Sequence, residues 1–235
     1  MIVDTSQYNF EESLSRIDQM LNLQTVEIEP LVSIPVLNEI PTKGGVIANC
    51  SIMQVEIITP PSREYGALLR VYRAFLSEAV AIVASHTHCV DVMIIGSRLT
   101  AAFSTPFKNN IQSLIDKTAM VNTLAQVISK KATGMGLPSI TVRIGVDFGE
   151  AMLMRFGKYD ANEQHPSGLA WMGNPVKKTA ELIEKPNHDM NIWISGVIYQ
   201  NLSDDYKKFF HHDEEFGDYG ADIINTNMKS WINKQ

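Results

Sequence analysis

Five side chains and two histidine clusters in this sequence are of types that could do chemistry. Glu56 closes the apolar run VIANCSIMQVEI (Val46–Ile58), where a carboxylate is a hard anionic group at a strand end. Ser97 sits in the turn Gly96-Ser97-Arg98, where its hydroxyl could bond nearby backbone. Lys177 and Glu181 stand four apart in GNPVKKTAEL (Gly173–Leu182), so on a helix they share a face and can pair. Asp147 lies between Gly145 and Gly149, where it either faces a cleft or ends a strand as an ordinary carboxylate. His86-Thr87-His88-Cys89 and His211-His212-Asp213 contain metal-capable side chains. No second pair lies at zinc-finger spacing and adjacent histidines point apart on a strand, so both clusters read as surface or junction residues.

The elements that must position these groups follow from periodicity. Phe10, Leu14, Ile17 and Leu21 recur at helical spacing in Phe10–Leu23, with Asn9 as N-cap and Glu12 three residues on. Gln24–Gly45 is broken by Pro30, Pro35 and Pro41 and reads as an extended connector. Val46–Ile58 is a strand. A helix from Ser62, its expected cap, to His86 carries Leu68, Leu69, Tyr72, Phe75, Leu76, Ala79, Val80 and Val83 on a wide apolar face. Cys89–Phe103 reads as a hairpin turning at Gly96. A second long helix runs from Pro106 to Thr133 and stops at Gly134-Met135-Gly136.

In Ile140–Met154 the glycines and Glu150 predict a bend or hairpin near Phe148–Glu150. Arg155–Gly168 reads as a mobile surface loop. A helix over Asn174–Glu184 follows, then a strand at Ile192–Ser195, a helical turn at Val197–Leu202 and an edge strand at Tyr206–His212. Ile223–Ile232 closes the chain amphipathically. Strand–helix–strand–strand–helix–strand is the order of a ferredoxin-like α+β domain. Residues 1–45 are expected to be an N-terminal helix and connector packed on the core, and 46–235 the main domain with a C-terminal extension, one domain in all.

Composition narrows the classes. The chain has 235 residues, is 45% hydrophobic and 20% charged, and carries a formal charge of −6, so it is not a wholly disordered chain. The acidic balance argues against a non-specific nucleic-acid binder or an anionic-membrane binder. Cys50 and Cys89 read as buried free thiols, and no signal sequence or membrane-length apolar run is seen. A cytoplasmic protein is expected.

Four short motifs in this order resemble the catalytic domain of the class III (adenylate/guanylate-type) nucleotide cyclases, and in particular the bacterial antiphage pyrimidine (cytidylate/uridylate) cyclases. ANCSIMQVEI with the turn at Thr59–Ser62 resembles the family's strand ending in an Asp-Ile pair and a phosphate-facing turn. IIGSRLTAAF resembles its Gly-Asp hairpin, and VRIGVDFGEAML its Gly-Ile-x-x-Gly strand pair. GNPVKKTAEL resembles its Gly-x-x-Val-Asn-x-Ala-Ala-Arg/Lys-Leu helix.

The resemblance implies a head-to-tail dimer. One subunit's two Asp residues hold two Mg²⁺ or Mn²⁺ ions on the triphosphate; the other supplies an Asn for the ribose and an Arg or Lys for the phosphates. It places the first metal position at Glu56, or at Asn49 in an alternative register, and the second at Ser97. It makes Thr59, Ser62 and Asp147 nucleotide-binding candidates, and puts Lys177 at the Asn position and Glu181 at the Arg/Lys position.

Each of those positions departs from the family. Glu56 moves its oxygens by a methylene, which the near-octahedral geometry of Mg²⁺ tolerates poorly. Ser97 is neutral, and the same Gly-Ser occurs in the half of some heterodimeric cyclases that binds no metal. Pro60 and Pro61 remove two backbone N–H donors from the phosphate turn. Glu181 reverses a charge. At 4 Å one charge pair is worth about 1 kcal/mol in water and about 4 at an effective dielectric of 20, and reversal doubles the loss. Deleting a single transition-state donor already costs roughly 3–4 kcal/mol.

Three readings result. The first is a catalytically impaired cyclase-fold subunit that dimerises, with itself or with another cyclase-like chain, or senses a nucleoside triphosphate, and needs no metal. The second is a divergent active cyclase using Mg²⁺ or Mn²⁺ to make cCMP or cUMP. The third is a protein-interaction module.

Overall fold

In the computed structural model, residues 10–22, 28–35, 39–40, 44–61, 64–156, 168–185 and 190–234 are described. The fold is built on β2 (Gly45–Ile58), whose alternating side chains serve two layers. Met53, Val55 and Ile57 point into a core shared with Phe75, Leu114, Ile115 and Val121. Cys50 and Ile52 pack on the opposite face with Ala102 and Ala151. β4 (Arg98–Phe103) and β5 (Thr141–Phe156) flank β2, both antiparallel, and β3 (Cys89–Ile95) lies antiparallel beyond β4.

With α2 (Tyr65–Ala84) and α3 (Lys108–Gly134) this is a βαββαβ unit whose strands lie in the spatial order β3-β4-β2-β5. The α+β, ferredoxin-like arrangement read from the sequence is therefore what forms. The sheet continues through β7 (Ile192–Ile194), parallel to β5, then β9 (Tyr219–Ala221) and β8 (His211–His212). β6 (Gly168–Gly173) folds back on β5, and β1 (Ile28–Leu31) runs parallel to β2. α4 (Asn174–Glu184) lies on the face opposite the long helices, α5 (Gly196–Asn201) and α6 (Asp204–Lys207) follow β7, and α7 (Thr226–Asn233) packs on α3.

Several local expectations are revised. β5 runs unbroken through Phe148–Glu150, because its glycines serve packing rather than a turn. A Cβ at Gly145 would lie 2.6 Å from the Thr179 carbonyl oxygen of α4, and one at Gly149 would lie 3.2 Å from the Pro175 ring. Tyr206 and Lys207 belong to α6, leaving only His211–His212 as edge strand. Helix α2 begins at Tyr65 with Glu64 as N-cap. The expected caps Asn9 and Ser62, and the loop residues 157–167, lie outside the described residues.

The N-terminal segment divides in two. Ile40 of the connector is buried with Val46 and Leu153. On α1 (Phe10–Leu21) the apolar row of Phe10, Leu14, Ile17 and Leu21 is exposed. Among the described residues no helix is long and apolar enough to cross a membrane.

Candidate functional site

At the end of β2 the sheet register sets Glu56 between two cross-strand partners, Arg98 on β4 and Arg143 on β5. Residues directly opposite in antiparallel strands point to the same face, so the three side chains form a row. Gly96, at φ 62°, makes the tight turn that swings Ser97 over this row. The Ser97 hydroxyl donates to Glu56 Oε1, and Arg98 Nε donates to Glu56 Oε2 at 2.9 Å. The backbone continues the alignment, with Ile57 N–H donating to the Ser97 carbonyl at 2.9 Å.

The structure thus brings together Glu56 and Ser97, two of the residues singled out in the sequence. Asn49, the alternative to Glu56, is an odd number of residues away and so points to the other face. It pairs with Glu150, roughly 23 Å back along the strand at about 3.3 Å per residue. Sequence reading missed Arg98 and Arg143; only their register beside Glu56 gives them meaning.

The donor set does not fit two magnesium ions. A two-ion centre needs open carboxylate oxygens, whereas the single carboxylate here accepts on both oxygens from neighbouring side chains. Among the described residues, no group of three or more His, Cys, Asp or Glu side chains is placed to hold a metal ion.

α4 is anchored two residues upstream of Glu56, where Gln54 Nε2 donates to the Val176 carbonyl at 3.3 Å. Pro175, Thr179, Leu182 and Ile183 face inward. Lys177 and Glu181 consequently point outward, and pair with each other at 3.7 Å. Thr59, half-buried, follows β2 and leads into the exposed Pro60 and Pro61; Ser62 lies outside the described residues.

Asp147 is not part of the Glu56 row. It is buried beneath α4, where burial holds its carboxyl above the usual carboxylate range against a hydrogen bond with Ser195 and the nearby positive charge of Lys178. Beside it Asp218, also buried, pairs with Lys178 at 2.9 Å and Lys185 at 2.5 Å. Lys185 lies over the rings of Trp193 and Phe216. A further pair, Trp171 Nε1 donating to Asp91 Oδ2 at 2.8 Å, ties β6 to β3. His86 is buried against Phe103, near the Asn110 carbonyl, and His211 and His212 lie exposed on the edge strand.

No family model matches the chain. Two curated proteins similar to it are both named uridylate cyclase. The one from Treponema porcinum is 28% identical over 172 residues, 70% of this chain and 59% of that protein. The one from Gulbenkiania mobilis is 26% identical over 248 aligned positions, 96% and 95% of the two chains. The chain therefore spans less than two thirds of the first and nearly all of the second. Among solved structures, the guanylyl cyclase Cya2 superposes with a TM-score of 0.60 at 14% identity, covering 77% of this chain and 95% of its own. A class III adenylyl cyclase-like ATP-binding protein from Pseudomonas aeruginosa gives 0.58 at 18% identity, covering 86% and 45%.

Proposed function

We propose that this chain, which carries the class III nucleotide cyclase fold and stands close to the pyrimidine cyclases, is a catalytically silent relative: a dimerising or nucleotide-sensing subunit. The observation that carries the reading is the closure of Glu56 by Ser97 and Arg98. A carboxylate that already accepts a hydroxyl on one oxygen and a guanidinium on the other has its charge offset and keeps only its remaining lone pairs for a dication.

The other half of a family-type site supports the same reading. Lys177 is a point charge where an amide would fix the ribose, and Glu181 draws that charge away from any phosphate. In a head-to-tail dimer each site takes one half from each subunit, so a homodimer meets altered groups on both sides. The resemblance to defence-linked pyrimidine cyclases makes bacterial antiphage signalling the setting we propose.

The reaction assay decides. Purified protein with Mn²⁺ and each of the four nucleoside triphosphates is expected to yield no cyclic nucleotide by mass spectrometry. The second reading is a divergent uridylate cyclase, favoured by the match along nearly the full length of the Gulbenkiania mobilis protein. It predicts a cUMP peak from UTP, and such a peak would overturn the first.

A further inference from the structure

The helices α2 and α3 pack on the side of the sheet that bears Met53, Val55 and Ile57. The same side continues toward the start of β2, where β1, β2, β5 and β6 lie abreast. Directly opposed residues point to one face, so the register builds apolar rows there. One row runs through Ile47, Met152 and Met172; the next holds Ile28 and Met154, with Phe156 two residues further on. Ile28, Phe156 and Met172 are exposed, and the other three are half-buried. Contiguous apolar rows, unlike apolar side chains scattered singly, mark a docking surface. The patch is about 14 Å across four strands and about 13 Å along β5 from Met152 to Phe156.

The same chain carries a helix with the complementary defect. α1 buries Ser13 alone and leaves Phe10, Leu14, Ile17 and Leu21 exposed along one side. A helix of 12 residues is marginal in water unless it packs on something. Its apolar row is about 16 Å long at 1.5 Å per residue, so it fits obliquely across the patch. Neither row nor patch contains a charged side chain. In its own chain α1 is seated through Ser13 with the row in solvent, which leaves the patch to another molecule. We infer that two copies of this chain associate by exchanging α1, the apolar row of each helix lying on the Ile47–Met152–Met172 face of the other. One helix and one face per chain close as a two-fold pair. The face lies opposite α4, whereas the head-to-tail pairing implied by the resemblance carries Lys177 and Glu181 of α4 to the partner, so the exchange is a separate contact. It rests on the dimerising-subunit reading and goes beyond it by naming the surfaces that join the copies.

The test joins crosslinking to sedimentation equilibrium on the full chain. Ile17→Cys and Met152→Cys are made in separate chains, mixed and oxidised, so that a disulfide between the two positions joins different copies. Each variant alone gives the background from the native Cys50 and Cys89. A covalent dimer above that background is expected from the mixture. Leu14→Asp with Ile17→Asp, and separately Met172→Glu, should raise the dimer's dissociation constant about tenfold or more, with circular dichroism showing that the variants are folded. The parent dimer should hold or tighten in high salt, because the contact is apolar and each chain carries a charge of −6. A disulfide that forms only within one chain carrying both cysteines would place α1 on its own sheet and overturn the inference. A dimer indifferent to these variants also overturns it, and leaves a dimerising subunit joined elsewhere. A monomer at every concentration would remove the dimerising reading as well.

Discussion

Ser97 and Glu56, separated by 41 positions in the chain, meet hydroxyl to carboxylate where the β3–β4 turn closes over the end of β2. Arg98 completes the arrangement from the next residue. The family resemblance assigns this corner to metal ions, and here it is filled by an internal ion pair.

Reopening the corner should therefore take two changes. Ser97→Asp alone leaves Arg98 beside two carboxylates and is expected to add no strong manganese site. Ser97→Asp with Arg98→Ala removes the guanidinium and sets two hard anionic ligands side by side. Manganese titration followed by electron paramagnetic resonance should show tight binding in the double variant only. Equal binding in the parent chain would contradict the closure of Glu56.

Gly145 gives a stability prediction from close approach. Gly145→Ala drives a Cβ to 2.6 Å from the backbone oxygen of Thr179, and a carbonyl in a packed helix cannot step aside as a side chain can. A loss of about 1–3 kcal/mol is expected, the usual cost of overpacking, read as a lower denaturation midpoint. Gly66→Ala is the control: the added methyl meets nothing within 4 Å, and an exposed site in α2 should be neutral or gain up to about 0.5 kcal/mol. Similar losses at both sites would show that α4 is not seated as described.

The buried Asp147 makes stability depend on pH. Its folded carboxyl is held above the ordinary range by burial, with Ser195 and Lys178 opposing and Asp218 and burial acting together. The folded state thus binds that proton more tightly than the unfolded chain. The stabilising contribution is complete below the unfolded value of about 4 and is lost as pH rises through the raised value. Asp147→Asn, uncharged throughout, should melt above the parent at pH 7, with the gap closing toward pH 4. A gap independent of pH, or a variant that melts lower at pH 7, would contradict burial as the dominant cause.

Local chemistry was legible in the sequence wherever one stretch of chain decides it. The alternation around Gly96 gives the hairpin, the apolar faces of the two long helices give α2 and α3, and the four-residue spacing puts Lys177 within reach of Glu181. What could not be read depends on partners far away in the chain. Gly145 and Gly149 suggested a bend in β5, but their neighbours Thr179 and Pro175 belong to a helix about thirty residues on. β6 was hidden because its apolar residues adjoin a polar stretch and pair only with β5. The role of Arg98 emerges only from its register opposite Glu56, and the burial of Asp147 only from the helix laid across it.

The most direct measurement is crystallographic. Crystals of the protein soaked with manganese and UTP should show no pair of anomalous peaks beside Glu56 and Ser97, with the Arg98 guanidinium still seated on the Glu56 carboxylate. Two manganese ions bridged by Glu56 next to residue 97, with Arg98 displaced, would contradict the account.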